Sequence, residues 1–263
     1  MNKKRYPFLL GTTSYIVPAD IIPNARMLAP LVDDIELVLF ESNDASNFPS
    51  ANVIKELADI GKSFSTGYSV HLLTDKKAGA IEPEERKAFL NAAKKTIERC
   101  MPLSPTAWIL HLEGIWNCAD NEELDLWAER SCRVVESICS VIDKPSTIAI
   151  ENLGYPWHWH EKIALRNKTS LCCDVGHLWL YFTGCWQDYL VAMLPQTRII
   201  HLHGVSNGKD HISLSAGNNA HIRTFLEIVK RSDYNGIITL EIFSENDFNE
   251  SMEKVREIWE QLH

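Results

Sequence analysis

Eight short runs of β-branched and apolar residues punctuate this chain, and seven of them give way to a longer segment with apolar side chains three and four positions apart. The runs are Phe8 to Tyr15, Asp34 to Phe40, Ser65 to His71, Ala107 to Leu112, Thr147 to Glu151, Ser170 to Asp174, Arg198 to Leu202 and Gly236 to Glu241. Helical patterns cover Asn52 to Ile60, Pro83 to Cys100, Asn121 to Ile142, His160 to Arg166, Trp186 to Met193, Ala220 to Lys230 and Phe248 to Gln261. Glu84 and Glu85, and again Glu122, Glu123 and Asp125, stand where a helix start favours negative charge. Such alternation argues for βαβ units and a parallel sheet. Eight units in 263 residues predict an α/β fold of one domain, residues 1–263, a closed (β/α)8 TIM barrel of the usual size, roughly 250 residues.

The strand ends supply the chemistry. In such a barrel the groups at the C-terminal ends of the strands form the active face. Here those positions hold Glu41 just past strand 2, then His71, His111, Glu151, Asp174, His201 and Glu241. One histidine after a strand is ordinarily a hydrogen-bonded wall residue. Six strands ending this way put three imidazoles and three carboxylates around one axis, where the carboxylates would repel one another without a cation. Mixed histidine and carboxylate ligation suits zinc, manganese or iron. Two further candidates extend the set: His177, one short turn beyond Asp174, and the Asp210–His211 pair after strand 7. His203 shares the strand face of His201 and reads as a substrate contact, a supporting group or an alternative ligand. This many donors could feed two or three metals, and paired metals are a device for hydrolysing phosphate esters.

Other features set limits. The net charge of −9 opposes a polyphosphate partner, and the basic cluster Lys3, Lys4 and Arg5 reads as a solvated tail. No apolar run is long enough for a membrane span. Seven cysteines without a CxxC pair suggest neither a disulfide framework nor a cysteine zinc site, so a cytoplasmic protein is expected. In SLCCDVGHLWL (170–180), alternation turns Cys172 inward with Asp174 as a small filler and Cys173 outward. The segment Tyr155-Pro156-Trp157-His158-Trp159-His160 follows strand 5. Its aromatics either stack on a flat ligand or pack over the rim, and Tyr155, Trp157 and His158 are taken as candidate substrate contacts, with Glu41 and Asp210.

The motifs resemble the xylose isomerase-like TIM-barrel superfamily, and within it the endonuclease IV-like branch. They are His71, His111, Glu151-Asn152, the Asp-x-x-His of Asp174 and His177, His201-Leu202, the His-x-Ser-Leu-x-x-Gly-Asn of 211–218, and Leu240-Glu241. The resemblance implies a first metal on His71, His111 and Glu151. It implies a second on Glu151, Asp174, His201 and Glu241, and a third on His177, His211 and a nearby acid. The chain departs from the pattern at that third site: Lys209 stands two before His211, and the aspartate, Asp210, is directly adjacent. Sugar isomerases and epimerases of the superfamily keep the single-metal set alone, so the surplus histidines favour hydrolysis.

The stretch GTTSYIVPADIIPNARMLAPLVDDIELVLFES (11–42) is similar to phosphodiesterases of cobamide remodelling, which cleave the nucleotide loop of B12-like corrinoids. The expectation is therefore a phosphodiesterase with two or three zinc or manganese ions, with Glu151, Asp174 and Glu241 at its centre. Alternatives are a one-metal sugar or sugar-phosphate isomerase using Glu151 and Glu241 as acid and base, an abasic-site DNA endonuclease, and a non-catalytic corrinoid-binding barrel.

Overall fold

The computed structural model describes residues 5–40, 48–115 and 120–262. Eight parallel strands close into a barrel: β1 (Leu9–Thr13), β2 (Asp34–Val38), β3 (Gly67–His71), β4 (Trp108–Leu110), β5 (Ile148–Glu151), β6 (Ser170–Asp174), β7 (Thr197–Leu202) and β10 (Ile237–Leu240), with β10 pairing back onto β1. Each observed strand lies within two residues of its expected ends. Strand β3 starts later than expected because Ser65 takes a left-handed conformation, φ 53°, that closes the preceding helix. A hairpin of β8 (Gly204–Ser206) and β9 (Lys209–Ile212) follows β7 at the C-terminal mouth of the barrel.

The helices are α1 (Ile21–Leu28), α2 (Ala51–Phe64), α3 (Pro83–Cys100), α4 (Asn121–Cys139), α5 (His158–Asn167), α6 (Val175–Tyr181), α7 (Trp186–Met193), α8 (Asn219–Arg231) and α9 (Glu245–Gln261). Their starts have local causes. Pro83 opens α3 ahead of Glu84 and Glu85. Asp120 and Glu123 form a reciprocal capping box on α4, and the Asn218 and Ser244 side chains cap α8 and α9. Two helices, α1 and α6, are absent from the sequence reading. Helix α1 has Pro23 in its first turn and buries the polar Asn24, while α6 buries Val175, Gly176, Leu178 and Trp179 on more than one side. Neither shows a clean polar face.

The core has two layers. A large apolar shell fills the space between strands and helices and includes Cys173. A small inner cluster of Ala107, Ile109, Ala149, Cys172, Ile199 and Ile237 fills the barrel itself. The two adjacent cysteines thus separate as alternation requires. That inner cluster is the platform on which the polar residues of the mouth stand.

Candidate metal centre

The side chains that crown the barrel sit one inward-facing step above small or apolar ones: His111 above Ile109, Glu151 above Ala149, Asp174 above Cys172, His201 above Ile199 and Glu241 above Thr239. The register pairs Asp174 with His201 across β6 and β7, past an irregularity at Leu171/Cys172. His71, Glu151, Asp174, His201 and Glu241 are all buried.

Glu151 is the hub. Its Oε2 lies 3.4 Å from His71 Nε2, 3.1 Å from His111 Nε2 and 3.4 Å from His201 Nδ1, and its Oε1 lies 3.6 Å from His177 Nδ1. Glu241 Oε2 sits 3.1 Å from His201 Nδ1 and 3.3 Å from His211 Nε2. Donor atoms gather into adjoining groups that could each hold an ion: His71, His111 and Glu151; Glu151, Asp174, His201 and Glu241; and Asp174, His177, His203 and His211.

Local structure aims these donors. Asp174 caps α6 by accepting the His177 amide at 2.6 Å, which fixes the Asp-x-x-His spacing as a helix start. His71 Nδ1 lies 2.8 Å from the Leu72 carbonyl and His177 Nδ1 lies 3.1 Å from that of Asn152. Protonated at Nδ1, each leaves Nε2 free as a ligand. The bare backbone of Gly176 makes room for His203, whose ring would stand 2.0 Å from a Cβ there. His211 holds a left-handed φ of 52°, a strained backbone for a residue with a side chain. Its amide donates to His203 Nδ1 at 3.0 Å.

Electrostatics bind the set together. Burial alone would lift the Glu151 and Glu241 carboxyls, but His111 and His201 beside the first, and His201 and His211 beside the second, hold both well below the usual range. Conversely, burial disfavours the charged histidines, yet Glu151 and Glu113 carry His111 up to about 10, and Glu241, Asp174 and Asp210 carry His211 up to about 9. The Cys172 thiol is pushed well above its ordinary value by burial, which keeps it protonated beside Glu151 and His201. Mutual neutralisation is nevertheless incomplete. Glu36 Oε1 is buried without a hydrogen-bond partner, and such an atom costs about 1–3 kcal/mol, while His201 Nδ1 and Glu241 Oε2 face each other at 3.1 Å without a well-aligned hydrogen bond. Unpaired nitrogen and oxygen lone pairs beside clustered carboxylates fit a divalent cation of the zinc or manganese kind.

The structure redistributes several of the sequence-derived candidates. Glu41 lies outside the described residues. His203 is buried, with Nε2 3.2 Å from Asp174 Oδ1, so it belongs to the third group rather than to a substrate surface. Asp210 stands behind His211, 3.2 Å from its Nδ1, and braces the ring instead of reaching across the mouth. Tyr155 is buried between Trp127 and Trp159 and donates its hydroxyl to the Leu112 carbonyl. Trp157 packs on Tyr189, and His158 is an exposed residue at the start of α5. Trp157 and His158 are packing and surface positions because α5 begins at His158 and turns the segment onto the rim, whereas Tyr155, though buried, borders a groove beside the cluster. His160 is fully buried, both ring nitrogens lack partners, and burial lowers it to about 3.

Two contributors escaped the sequence reading. Glu36, buried in the middle of β2, sits with Oε2 3.0 Å from His201 Nε2. Glu113 lies 3.4 Å from His111 Nδ1, and its backbone is held by the Trp127 indole. Each carboxylate backs a histidine on the side away from Glu151. Glu36 could have been found as an acid at an alternate position of an apolar strand. Asn207-Gly208, both at positive φ, signals the hairpin that delivers Asp210 and His211.

A family model described as xylose isomerase-like TIM barrel matches residues 32–261. The chain belongs to this family. Among solved structures, this xylose isomerase-like barrel is similar to a D-tagatose 3-epimerase-like protein, with 20% identity and a TM-score of 0.77 over 97% of this chain and 98% of that one. It is similar to D-psicose 3-epimerase from Clostridium cellulolyticum, determined with D-tagatose, at 14% identity and a TM-score of 0.72 over 96% and 99% of the two chains. It also resembles endonuclease IV from Thermus thermophilus, at 13% identity and a TM-score of 0.68 over 96% and 99%. A search of curated protein sequences gave no match. At these identities the likenesses establish the fold.

Proposed function

We propose that this barrel is a metal-dependent phosphodiesterase acting on a small-molecule diester. The observation that carries the reading is the convergence of His71, His111, His177 and His211 on the carboxylates of the Glu151, Asp174, His201 and Glu241 group. A one-metal sugar enzyme needs only that last group. Here Glu151 would be shared between two ions, with His71 and His111 on one side and Asp174, His201 and Glu241 on the other. His177, His203 and His211 would serve a third beside Asp174. Bound divalent ions supply Lewis-acid polarisation of phosphoryl oxygens and activation of water. The chain's own contribution is orientation. Glu36, Glu113 and Asp210 brace His201, His111 and His211, while the Leu72 and Asn152 carbonyls brace His71 and His177.

The finer reading, cleavage of a cobamide nucleotide loop, rests on the 11–42 stretch. Much of that stretch has packing duties: Thr12 and Thr13 donate to the Leu240 and Ile242 carbonyls, and the Asn24 side chain accepts the Ile16 and Val17 amides. Its likeness therefore reports the β1–α1 connection as well as any substrate.

A second reading, sugar epimerisation around a single ion, is favoured by the comparisons, in which sugar 3-epimerases recur. Glu151 and Glu241 approach His201 Nδ1 at 3.4 and 3.1 Å, and could act as paired acid and base. Elemental analysis of the metal-loaded protein separates the readings. The first expects more than one ion per chain and release of 4-nitrophenolate from bis(4-nitrophenyl) phosphate. Incubation with adenosylcobalamin should also yield cobinamide phosphate and the riboside by mass spectrometry. One ion per chain, with interconversion of ketohexoses and no diester turnover, would replace the first reading by the second.

A further inference from the structure

Beside the metal cluster runs a groove of about 730 Å³ that the reaction chemistry leaves unexplained. It lies between the connections that follow β3, β4 and β5. Glu113, which touches His111, and Tyr181, whose ring centre is 5.9 Å from that of His177, border it on the cluster side. Ile115 and Leu153 give it apolar walls. Ile81, 73% exposed, and Tyr181, 53% exposed, present further apolar area at its edge. Gly154 contributes bare backbone, and a Cβ there would come no closer than 3.6 Å to the Tyr181 ring.

Charge decides what such a groove accepts. Glu82, Glu85 and Glu113 face it, against one ammonium, Lys77. Glu113 is paired with His111, and among the described residues neither Glu82 nor Glu85 is paired with a lysine or arginine. Glu82 and Glu85 stand at the start of α3, where they already answer the positive end of the helix, so that terminus offers little to an anion. The volume falls in the range of sites for drug-sized ligands, roughly 300–1,000 Å³, well beyond the needs of a free ketohexose. A polyanionic strand would meet repulsion along it.

We propose that this groove is a substrate subsite for a bulky, apolar-faced group without negative charge, attached to the part of the substrate that reaches the metal cluster. The proposal rests on the cluster being the reaction centre, but its test can be read separately. The probes are tetraphenylphosphonium and tetraphenylborate, which share shape and apolar surface and differ in the sign of their charge. In equilibrium dialysis with the metal-loaded protein, the phosphonium should bind at least tenfold more tightly than the borate. Glu82→Gln with Glu85→Gln should weaken the phosphonium at least fivefold. Gly154→Phe, which occupies free space, should weaken it further, and melting curves should show both variants folded.

Against a bulky diester, 4-nitrophenyl thymidine 5′-phosphate, the phosphonium should inhibit competitively. Equal affinity for the two ions, binding indifferent to both variants, or non-competitive inhibition would overturn the subsite. Phosphonium binding that obeys the variants, in a protein that turns over no diester, would instead remove the hydrolase reading and leave the groove. Turnover without phosphonium binding would do the reverse.

Discussion

Asp34 and Glu36 lie two residues apart on one face of β2, both fully buried inside the barrel, and their surroundings answer that burial in opposite ways. Asp34 Oδ1 accepts from Ser69 at 2.6 Å and Oδ2 from Thr106 at 3.0 Å, so each of its oxygens has a neutral donor. Burial pushes its carboxyl up to about 6, even though those hydroxyls pull the other way. Glu36 reaches His201 at 3.0 Å with one oxygen and leaves the other unpaired. The lower carboxylate is complete within the protein. The upper one belongs to a network of imidazoles and acids that still has unsatisfied atoms. The satisfied carboxylate stands inside the barrel, and the partly satisfied one belongs to the donor-lined mouth, where the clustered groups could hold a cation.

This contrast can be broken most forcefully at its hub. Glu151→Gln should reduce metal content at both groups that share it and lower diester turnover at least a thousandfold, read by elemental analysis and 4-nitrophenolate release. His111→Ala comes next. It should remove about one ion per chain and cost tenfold to a hundredfold in turnover, whereas unchanged metal content and unchanged activity would favour a one-metal enzyme.

Glu36→Gln tests bracing rather than ligation. Loss of a carboxylate behind a ligating histidine typically costs about 10–100-fold in metal affinity or activity. The cobalt(II)-substituted variant should accordingly show a weaker binding isotherm and an altered visible spectrum, which a purely structural role would leave alone.

Asp34→Asn should leave metal content as in the parent, and its effect should appear in stability. The folded-state value of about 6 exceeds the ordinary value of 3.8, so the ionised form is costly in the fold. That cost grows as pH rises from 3.8 through about 6. Relative to the parent, the variant should therefore gain about 2 kcal/mol between pH 4 and pH 8 in denaturant unfolding. A difference that stays flat with pH would show that Asp34 is not carried as a buried, ionisable acid.

Much of this arrangement was legible in the chain because the barrel repeats one rule. The period of two within each strand and the turn that ends it expose Glu151, Asp174, His201 and Glu241 as polar interruptions of apolar runs. Glu36 was hidden because the strands of a barrel are staggered by shear, so equal height at the mouth is not equal distance from the strand's end. Searching only the strand ends passes over a mid-strand acid on β2. The segment 155–160 was legible as aromatic, but not as buried: its orientation depends on where α5 begins and on the Leu112 carbonyl that receives Tyr155. Asp210 and His203 were visible as candidates, but only the hairpin and Gly176 decide that one braces His211 and the other faces Asp174.

Periodicity and residue type are local and repeat along the chain, and they were enough to specify the eight strands, the barrel they close and most of the candidate donors at its mouth. Tertiary structure decided which donors share Glu151, which carboxylates stand behind the histidines, and where the acidic groove lies, because each depends on side chains brought together from different strands and loops.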